Sequence, residues 1–563
     1  MRKQFIPQTL LLLVVMLTSA CGSSIGQLEG GAIPTAMLLQ PNATATLPTS
    51  LDPRVSTEVP AELGGTIWID PAIPAAFQSQ LNIPTELTRT EDRENATLRL
   101  EVNGQNTISS WVLAFVAPFP TLTEGISTQE MWSAWRGDYI EVLGGRRLRM
   151  DAETYTLLTA WWGAADQDAV LIVPADEMLK MAWDGRPAWG IVPFDALEPR
   201  WKVLTIDNIS PIQKGFAPRN YSLSVPISLN GDSDQVAALM STAGPLSEAP
   251  LLPVSNRDAD KLTTIALTGV TAMVRATAWE MERKGITYGA TDIGEMLREA
   301  DITHVSNEIP FDEDCPPPSP NVDKLVFCSA PKYIELLEAI GTDVIELTGD
   351  HFNDWGAEGT LYTIQMYKDR GWPYYGGGEN LEDGREPVLF EHNGNKIAFI
   401  GCNAKGGGYA TAAENTPGAV ECDFPWFEEE LGRLMADGYL PIFTFQHQEY
   451  YTFEPRQDQV TDFERVAQAG AVIVSGSQAH QAQGMEFLGD STIMYGLGNL
   501  FFDQLGIYEN ASSALIARHV FYDGRHISTE LIVIKFVDYV RPRFATEEER
   551  VDLLSKVFSG SGW

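Results

Sequence analysis

Six short apolar runs in the second half of the chain restrict the folds open to it. They read TTIALTG (263–269), DVIELTGD (343–350), KIAFIG (396–401), LPIFTFQH (440–447), AVIVSGS (471–477) and TIMYGLGN (492–499). Each is rich in aliphatic and aromatic residues, is too short for a buried helix and ends on glycine or a polar side chain, which is the pattern of a buried strand. Between them lie helical candidates, YIELLEAIG, GTLYTIQMYKDRG, PWFEEELGRLMADG and DQVTDFERVAQAG. The third places Phe427, Leu431, Leu434 and Met435 on one face. Strands alternating with helices define an α/β class, and such folds present polar residues at strand ends. A hairpin closes this region, ALIARHVFYDGRHISTELIVIKFV, with its turn at Asp523-Gly524.

The same alternation occurs earlier, from Gly64 to Thr242, in TIWID, LRLEV, WVLAFVAPFP, AVLIVP, AWGIVPF and WKVLTI, with TQEMWSAWRG and ADEMLKMAW as helices. At 563 residues the chain exceeds one ordinary domain. We divide it into a signal segment (1–21), a stalk (22–61), a smaller α/β domain (62–242), a linker (243–260), a larger α/β domain (261–545) and a tail (546–563). The stalk is rich in Thr, Pro, Ala and Ser and cannot bury a core, and the linker sets Pro245, Pro250 and Pro253 among Ser, Ala and Asp. The tail is expected to be disordered after Ser555. The segments VAPFPTLTEGIS…MWSAWRG and AWGIVPFDALEPRWKVLTID resemble periplasmic solute-binding domains. That resemblance makes Pro118–Thr123 the first loop in which to seek a ligand.

The N-terminus carries Arg2 and Lys3, an apolar core from Leu10 to Leu17, and Thr18-Ser19-Ala20 before Cys21. This is the anatomy of a secretory signal. Followed by Gly22-Ser23-Ser24, Cys21 resembles the lipidated cysteine of a bacterial lipoprotein, although Thr18 stands where leucine is usual. Lipidation implies an extracytoplasmic protein tethered to the membrane by its acyl chain. Four cysteines remain, Cys315, Cys328, Cys402 and Cys422, an even number in an exported chain. Three connectivities are open, and the sequence-local pairs Cys315–Cys328 and Cys402–Cys422 are favoured. Asp and Glu total 76 against 39 Lys and Arg, a net charge of −37. Nucleic acid and anionic lipid surfaces both require basic protein surface, so neither is expected as the main partner.

Polar residues gather at the strand ends: Asn307-Glu308, Gly349-Asp350-His351 with Asp354, His447 with Glu449, and Gln478 with His480. Imidazole and carboxylate groups converging from several strands suit a divalent ion such as Mn, Zn or Fe. The ordered pieces SNEIPF, FCSAPKYIELLEAIGTDVIELTGDHFNDWG, EHNGNKIAFIGCN, FQHQEYYTFEP and GAVIVSGSQAHQAQGMEF…STIMYGLGNLFFDQ resemble the CapA family of poly-γ-glutamate capsule synthesis proteins, over roughly Leu262 to Gln504. The family is similar to calcineurin-like metallophosphoesterases. The resemblance implies an α/β sandwich of that type with a metal cleft at strand ends, preceded here by the smaller solute-binding-like domain.

Carried over residue by residue, the resemblance gives Glu308, Asp350, His447 and His480 as metal ligands and His351 and His447 as catalytic residues. Asn307, Asp354, Gln478 and Asn499 would support them. Two family ligands are replaced, an Asp by Val270 and a His by Gln478, which makes a two-metal centre doubtful. The implied role is synthesis, export or anchoring of an anionic γ-linked polyglutamate, alongside other capsule proteins, with a phosphoesterase-like or γ-glutamyl hydrolase site. The alternative is a catalytically silent lipoprotein that binds polymer or a small anionic ligand. The glycine runs 376–378 and 406–408 lack a phosphate-loop Lys-Ser/Thr and read as turns. His304, His392, His519 and His526 fit no motif and read as surface or pairing residues.

Overall fold

Side-chain alternation along two central strands decides the architecture of the second half. In Leu262–Leu267, Ile265 and Leu267 pack into one core and Ala266 into another. In Asn395–Asn403, Ile397 and Phe399 likewise oppose Ala398 and Ile400. With both faces apolar, each sheet needs cover on two sides. The computed structural model, which describes residues 62–240, 250–321, 325–505 and 509–563, supplies it with two sheets of nine and six strands packed face to face. Ile265, Leu267, Ile302 and Val344 of one sheet meet Ile397, Phe399, Ile442 and Ile473 of the other. Helices cover the outside: Phe427, Leu431 and Leu434 of Phe424–Ala436 and Phe463 and Val466 of Gln457–Gln468 seal the six-stranded sheet. Met435, expected on the same face, lies exposed.

The central strands run parallel, Leu262–Leu267, Ile302–Asn307 and Val344–Glu346 in one sheet and Asn395–Asn403, Leu440–Gln446, Ile473–Gly476 and Ser491–Met494 in the other. Their carboxyl ends meet along one edge, where Asn403 donates to the Thr348 carbonyl (2.8 Å) and Gln446 to Asp350 (2.9 Å). The hairpin Ser513–Tyr522/Arg525–Phe536 turns at Asp523-Gly524, both with positive φ (50° and 75°), as the paired residues require. Both sequence-local disulfides form, Cys315–Cys328 and Cys402–Cys422. Such bonds persist in oxidising compartments, which places the protein outside the cytoplasm. Among the described residues no helix is long and apolar enough to cross a membrane. The signal segment, Cys21 and the stalk lie outside the described residues.

The first half is a second nine-stranded mixed sheet, built on the long strand Thr107–Pro118. This strand pairs antiparallel with Ser224–Gly231, Trp189–Pro193 and Trp201–Val203. Two sequence expectations change here. The described part of the linker is a bound strap: the Asn256 side chain engages both Val112 N (2.7 Å) and Val112 O (3.0 Å), and buried Arg257 donates to the carbonyls of Pro211 and Gln213. Tyr522 of the second half then ties to the strap, accepting from Asp258 N (2.9 Å) and donating to Asn256 O (3.1 Å). Pro60–Trp563 consequently folds as one compact unit. The tail is a helix, Glu547–Gly560, that buries Leu553, Leu554, Val557 and Phe558.

The hairpin also encloses a histidine pair. His526 Nε2 lies 2.9 Å from the Ser528 carbonyl, so it carries the hydrogen, while His519 Nδ1 meets Thr529 Oγ1 at 2.9 Å. Burial pushes His526 down to about 4, and burial together with His526 pushes His519 well below its ordinary value. Once unfolded, His526 takes a proton near pH 6.5, the ordinary histidine value. The stability it contributes is complete above that pH and is lost as pH falls toward about 4, on the order of 3 kcal/mol across the window. Melting curves across this window should show a flatter pH dependence for His526→Gln than for the parent. Identical slopes would refute the assignment.

Candidate active site

The cleft is built from the first residues beyond the parallel strands. Glu308 follows Ile302–Asn307, and its backbone N–H donates to the Thr271 carbonyl (3.0 Å). Asp350 stands four residues beyond Val344–Glu346, and Gly349 lets it approach: a Cβ there would meet Glu308 Cα at 2.6 Å. The two carboxyls therefore lie side by side, both buried. Burial first, and then the adjacent Asp350, push Glu308 well above the usual carboxylate range. Both effects favour its protonated form. Burial opposes ionisation of Asp350 as well, but the bond from Glu308 and the nearby His351 and Lys405 outweigh it and hold Asp350 low.

Asp350 is further fixed by Gln446 Nε2 on Oδ1 (2.9 Å) and Lys405 Nζ on Oδ2 (2.5 Å). Gln446 in turn accepts from Ser477 Oγ (2.7 Å), which lies 3.4 Å from buried Glu346. Glu346 pairs with His304 (3.4 Å), whose Nε2 is 2.9 Å from the Tyr375 hydroxyl. A polar chain thus runs beneath the cleft between the two sheets. His304, read from sequence as a surface or pairing residue, is its buried pairing member.

His351 sits next to the pair. Its Nδ1 meets Asp354 Oδ2 at 2.7 Å, and Asp354 is itself held by the Phe327 N–H (2.8 Å). A carboxylate on Nδ1 fixes the tautomer and leaves Nε2 as the working nitrogen, here 3.9 Å from Asp350 Oδ2. Glu308, Asp350 and His351 can bring one ligand atom each within 4.8 Å of one another.

The other predicted residues take separate places. His447 directs Nε2 to Asp462 on Gln457–Gln468 (3.0 Å), and its Nδ1 is buried without a partner. His480 is held through Nδ1 by Asn499 (2.9 Å), with Nε2 4.0 Å from Glu449. Burial lowers the pKa of His480, so the ring is neutral there. It stands in the left-handed region (φ 51°), a conformation that costs a non-glycine residue on the order of 1–3 kcal/mol. Gln478 donates to Glu449 (3.0 Å). Asn307 donates to Ile309 O (2.7 Å) and the Tyr367 hydroxyl (2.8 Å), supporting the backbone that carries Glu308. Val270 is fully buried in an apolar cluster with Ile309, Phe327 and Phe502.

The fold and the strand-end cleft define a two-sheet α/β sandwich with a polar site at the carboxyl ends of its parallel strands. Residues 264–504 match the family described as bacterial capsule synthesis protein PGA_cap, and this segment is similar to proteins of the CapA family. It is 26% identical over 280 residues to the capsule biosynthesis protein CapA of Bacillus anthracis, covering 49% of this chain and 68% of that one. It is 26% identical over 193 residues to the PGA biosynthesis protein CapA of Bacillus subtilis (strain 168), covering 34% and 50%. Among solved structures, the NAD nucleotidase of Haemophilus influenzae aligns at 10% identity and TM-score 0.32, over 52% of this chain and 56% of that one, a likeness too slight to bear on chemistry.

The resemblance to the family implies a divalent metal, and the cleft offers three donors for one. Glu308, Asp350 and His351 have suitable chemistry, and Glu308 Oε2 is buried without a partner. Asp350 Oδ2, however, already holds the Lys405 ammonium. A divalent ion on that oxygen would sit within a few ångströms of a fixed like charge. With Lys405 in place, the residues do not fit it. Sequence reading passed over Lys405 because it precedes the glycine run 406–408, which reads as a turn. A lone lysine at a strand end, facing strand-end carboxylates, was the available signal.

Proposed function

We propose that this protein works at the outer face of the membrane, tethered through Cys21, in making or anchoring an anionic capsular polymer of the poly-γ-glutamate kind together with other capsule proteins. The cleft would cleave or transfer the polymer's amide links by acid–base chemistry. His351 Nε2 accepts a proton from the attacking water or amine, and protonated Glu308 returns one to the leaving nitrogen. The observation that carries this reading is the Asp354–His351 pair aimed at the Glu308–Asp350 carboxyls. The match of residues 264–504 to the capsule synthesis family supports the choice of substrate.

Incubation with poly-γ-glutamate and γ-glutamyl peptides should give shortened or transferred chains. His351→Ala should lower kcat at least about 100-fold with an unchanged melting temperature, the usual scale for losing an acid–base group. Equal turnover by this variant would end the assignment, and Cys21→Ser should leave the membrane fraction. Buried Val270 and the Gln478–Glu449 bond, standing where the family has metal ligands, favour a second reading as a polymer-binding protein. Saturable binding of the polymer without turnover would select it.

A further inference from the structure

Lys405 is held as firmly as the carboxylates it faces. It follows Asn395–Asn403 by two residues, on a loop whose Ala404 N–H donates to Gln446 O (2.8 Å) and whose Gly406 N–H donates to Asn403 Oδ1 (3.1 Å). Cys402, just before the loop, is disulfide-bonded to Cys422. The lysine side chain is only 14% exposed. Its Nζ lies 2.5 Å from Asp350 Oδ2, 3.8 Å from Glu449 Oε1 and 4.6 Å from the Tyr409 ring centroid. Two carboxylates and an aromatic face surround one ammonium, as they would surround a bound cation.

Glu449 widens the role of that charge. It also receives Gln478 Nε2 (3.0 Å) and stands 4.0 Å from His480 Nε2. Lys405 therefore bridges the Asp350 side of the cleft and the His480 side, one element from each sheet. We propose that the Lys405 ammonium is the resident cation of this cleft, doing by a covalently attached charge what a divalent ion would do between Asp350 and Glu449. The protein then needs no divalent ion to organise the site, and removing the ammonium opens a metal site that the native side chain closes. This inference concerns the charge in the cleft and does not depend on which polymer is handled.

The test is metal binding by the full-length protein after chelation, followed by titration with Mn²⁺ read by calorimetry and by electron paramagnetic resonance. The parent should show no stoichiometric site at Mn²⁺ concentrations up to about 1 mM. Lys405→Gln removes a like charge a few ångströms from the ion and should bind one Mn²⁺ at least roughly 100-fold more tightly. Lys405→Arg keeps the charge and should behave as the parent. Adding Asp350→Asn to Lys405→Gln should abolish the gain, which locates the ion. One tightly bound ion in the parent, or no gain in Lys405→Gln, overturns the proposal. Should Lys405→Gln fail to fold, the parent decides alone: a melting temperature that rises with Mn²⁺ overturns the proposal and one that does not move supports it. Loss of polymer turnover in His351→Ala leaves all of these readings unchanged, so the two proposals fail separately.

Discussion

A chain ended at Thr546 should lose cooperative folding, or melt far below the intact protein, although the removed segment supplies none of the cleft's polar side chains. Helix Glu547–Gly560 buries Leu553, Leu554, Val557 and Phe558. Beyond it Trp563 stacks on Phe487 (5.4 Å, 9°) and lies edge-on to Trp183 (5.7 Å). Phe119 joins both Phe487 (5.2 Å) and Phe558 (6.3 Å), so the cluster spans the first and second halves of the chain. Arg550 adds polar ties to Leu122 O (2.7 Å) and Glu124 (2.5 Å). The polar ties are partly exposed and contribute little, so burial decides the outcome. At about 1.5–3 kcal/mol for each buried apolar side chain, the four helix residues alone contribute about 6–12 kcal/mol, an upper range because the unfolded chain is partly compact. Domain stability is about 5–15 kcal/mol, so the loss is comparable to the whole. Denaturant melts of the truncated and intact proteins measure it, and Phe558→Ala alone should cost about 3–5 kcal/mol. A truncated protein that melts within a few degrees of the intact one would contradict this account.

The same helix shows what could and could not be read from the chain. Its start was written in the sequence: Thr546 caps the Glu549 N–H and the Glu549 side chain returns to Thr546 N, a capping box. What hid it was its amphipathic face, whose partners Phe119 and Phe487 lie hundreds and tens of residues away. The sandwich was legible because strand alternation is local and each buried face demands a layer. Glu308, Asp350 and His351 were legible as a strand-end group for the same reason, and the Cys315–Cys328 and Cys402–Cys422 pairs because their loops are short. The aim of His447 and His480 was not, since it is set by Asp462 on a helix and Asn499 on another strand. Lys405 and Arg275 likewise gain meaning only through charges brought to them by folding.

Asp503→Ala is the single substitution expected to cost most near the cleft, about 3–5 kcal/mol, the scale for stranding one partner of a buried ion pair. Asp503 accepts from Arg275 Nε (2.8 Å) and Nη2 (2.5 Å) and from the Ala276 N–H (2.8 Å) at the start of helix Arg275–Lys284. Both side chains are nearly inaccessible, 6% and 2% exposed, and the guanidinium lies between the rings of Phe327 (5.1 Å) and Phe502 (4.8 Å). Burial pushes Asp503 up despite Arg275 beside it. The attraction therefore does not fully repay desolvation, and the pair itself adds little net stability. Removing the carboxylate alone is different, because the charge of Arg275 stays buried with no counter-ion. Arg275→Met with Asp503→Leu should accordingly be much closer to the parent than Asp503→Ala, despite deleting more polar contacts. The two sites should couple strongly in a double-mutant cycle read by urea melts. Arg275 also opposes the charged form of His480, and it packs on Phe502, which in turn touches His480 (5.1 Å). The double variant should therefore keep the fold while changing the cleft. If Asp503→Ala and the double variant lose the same stability, packing of Phe327 and Phe502 holds this corner and the ion pair does not.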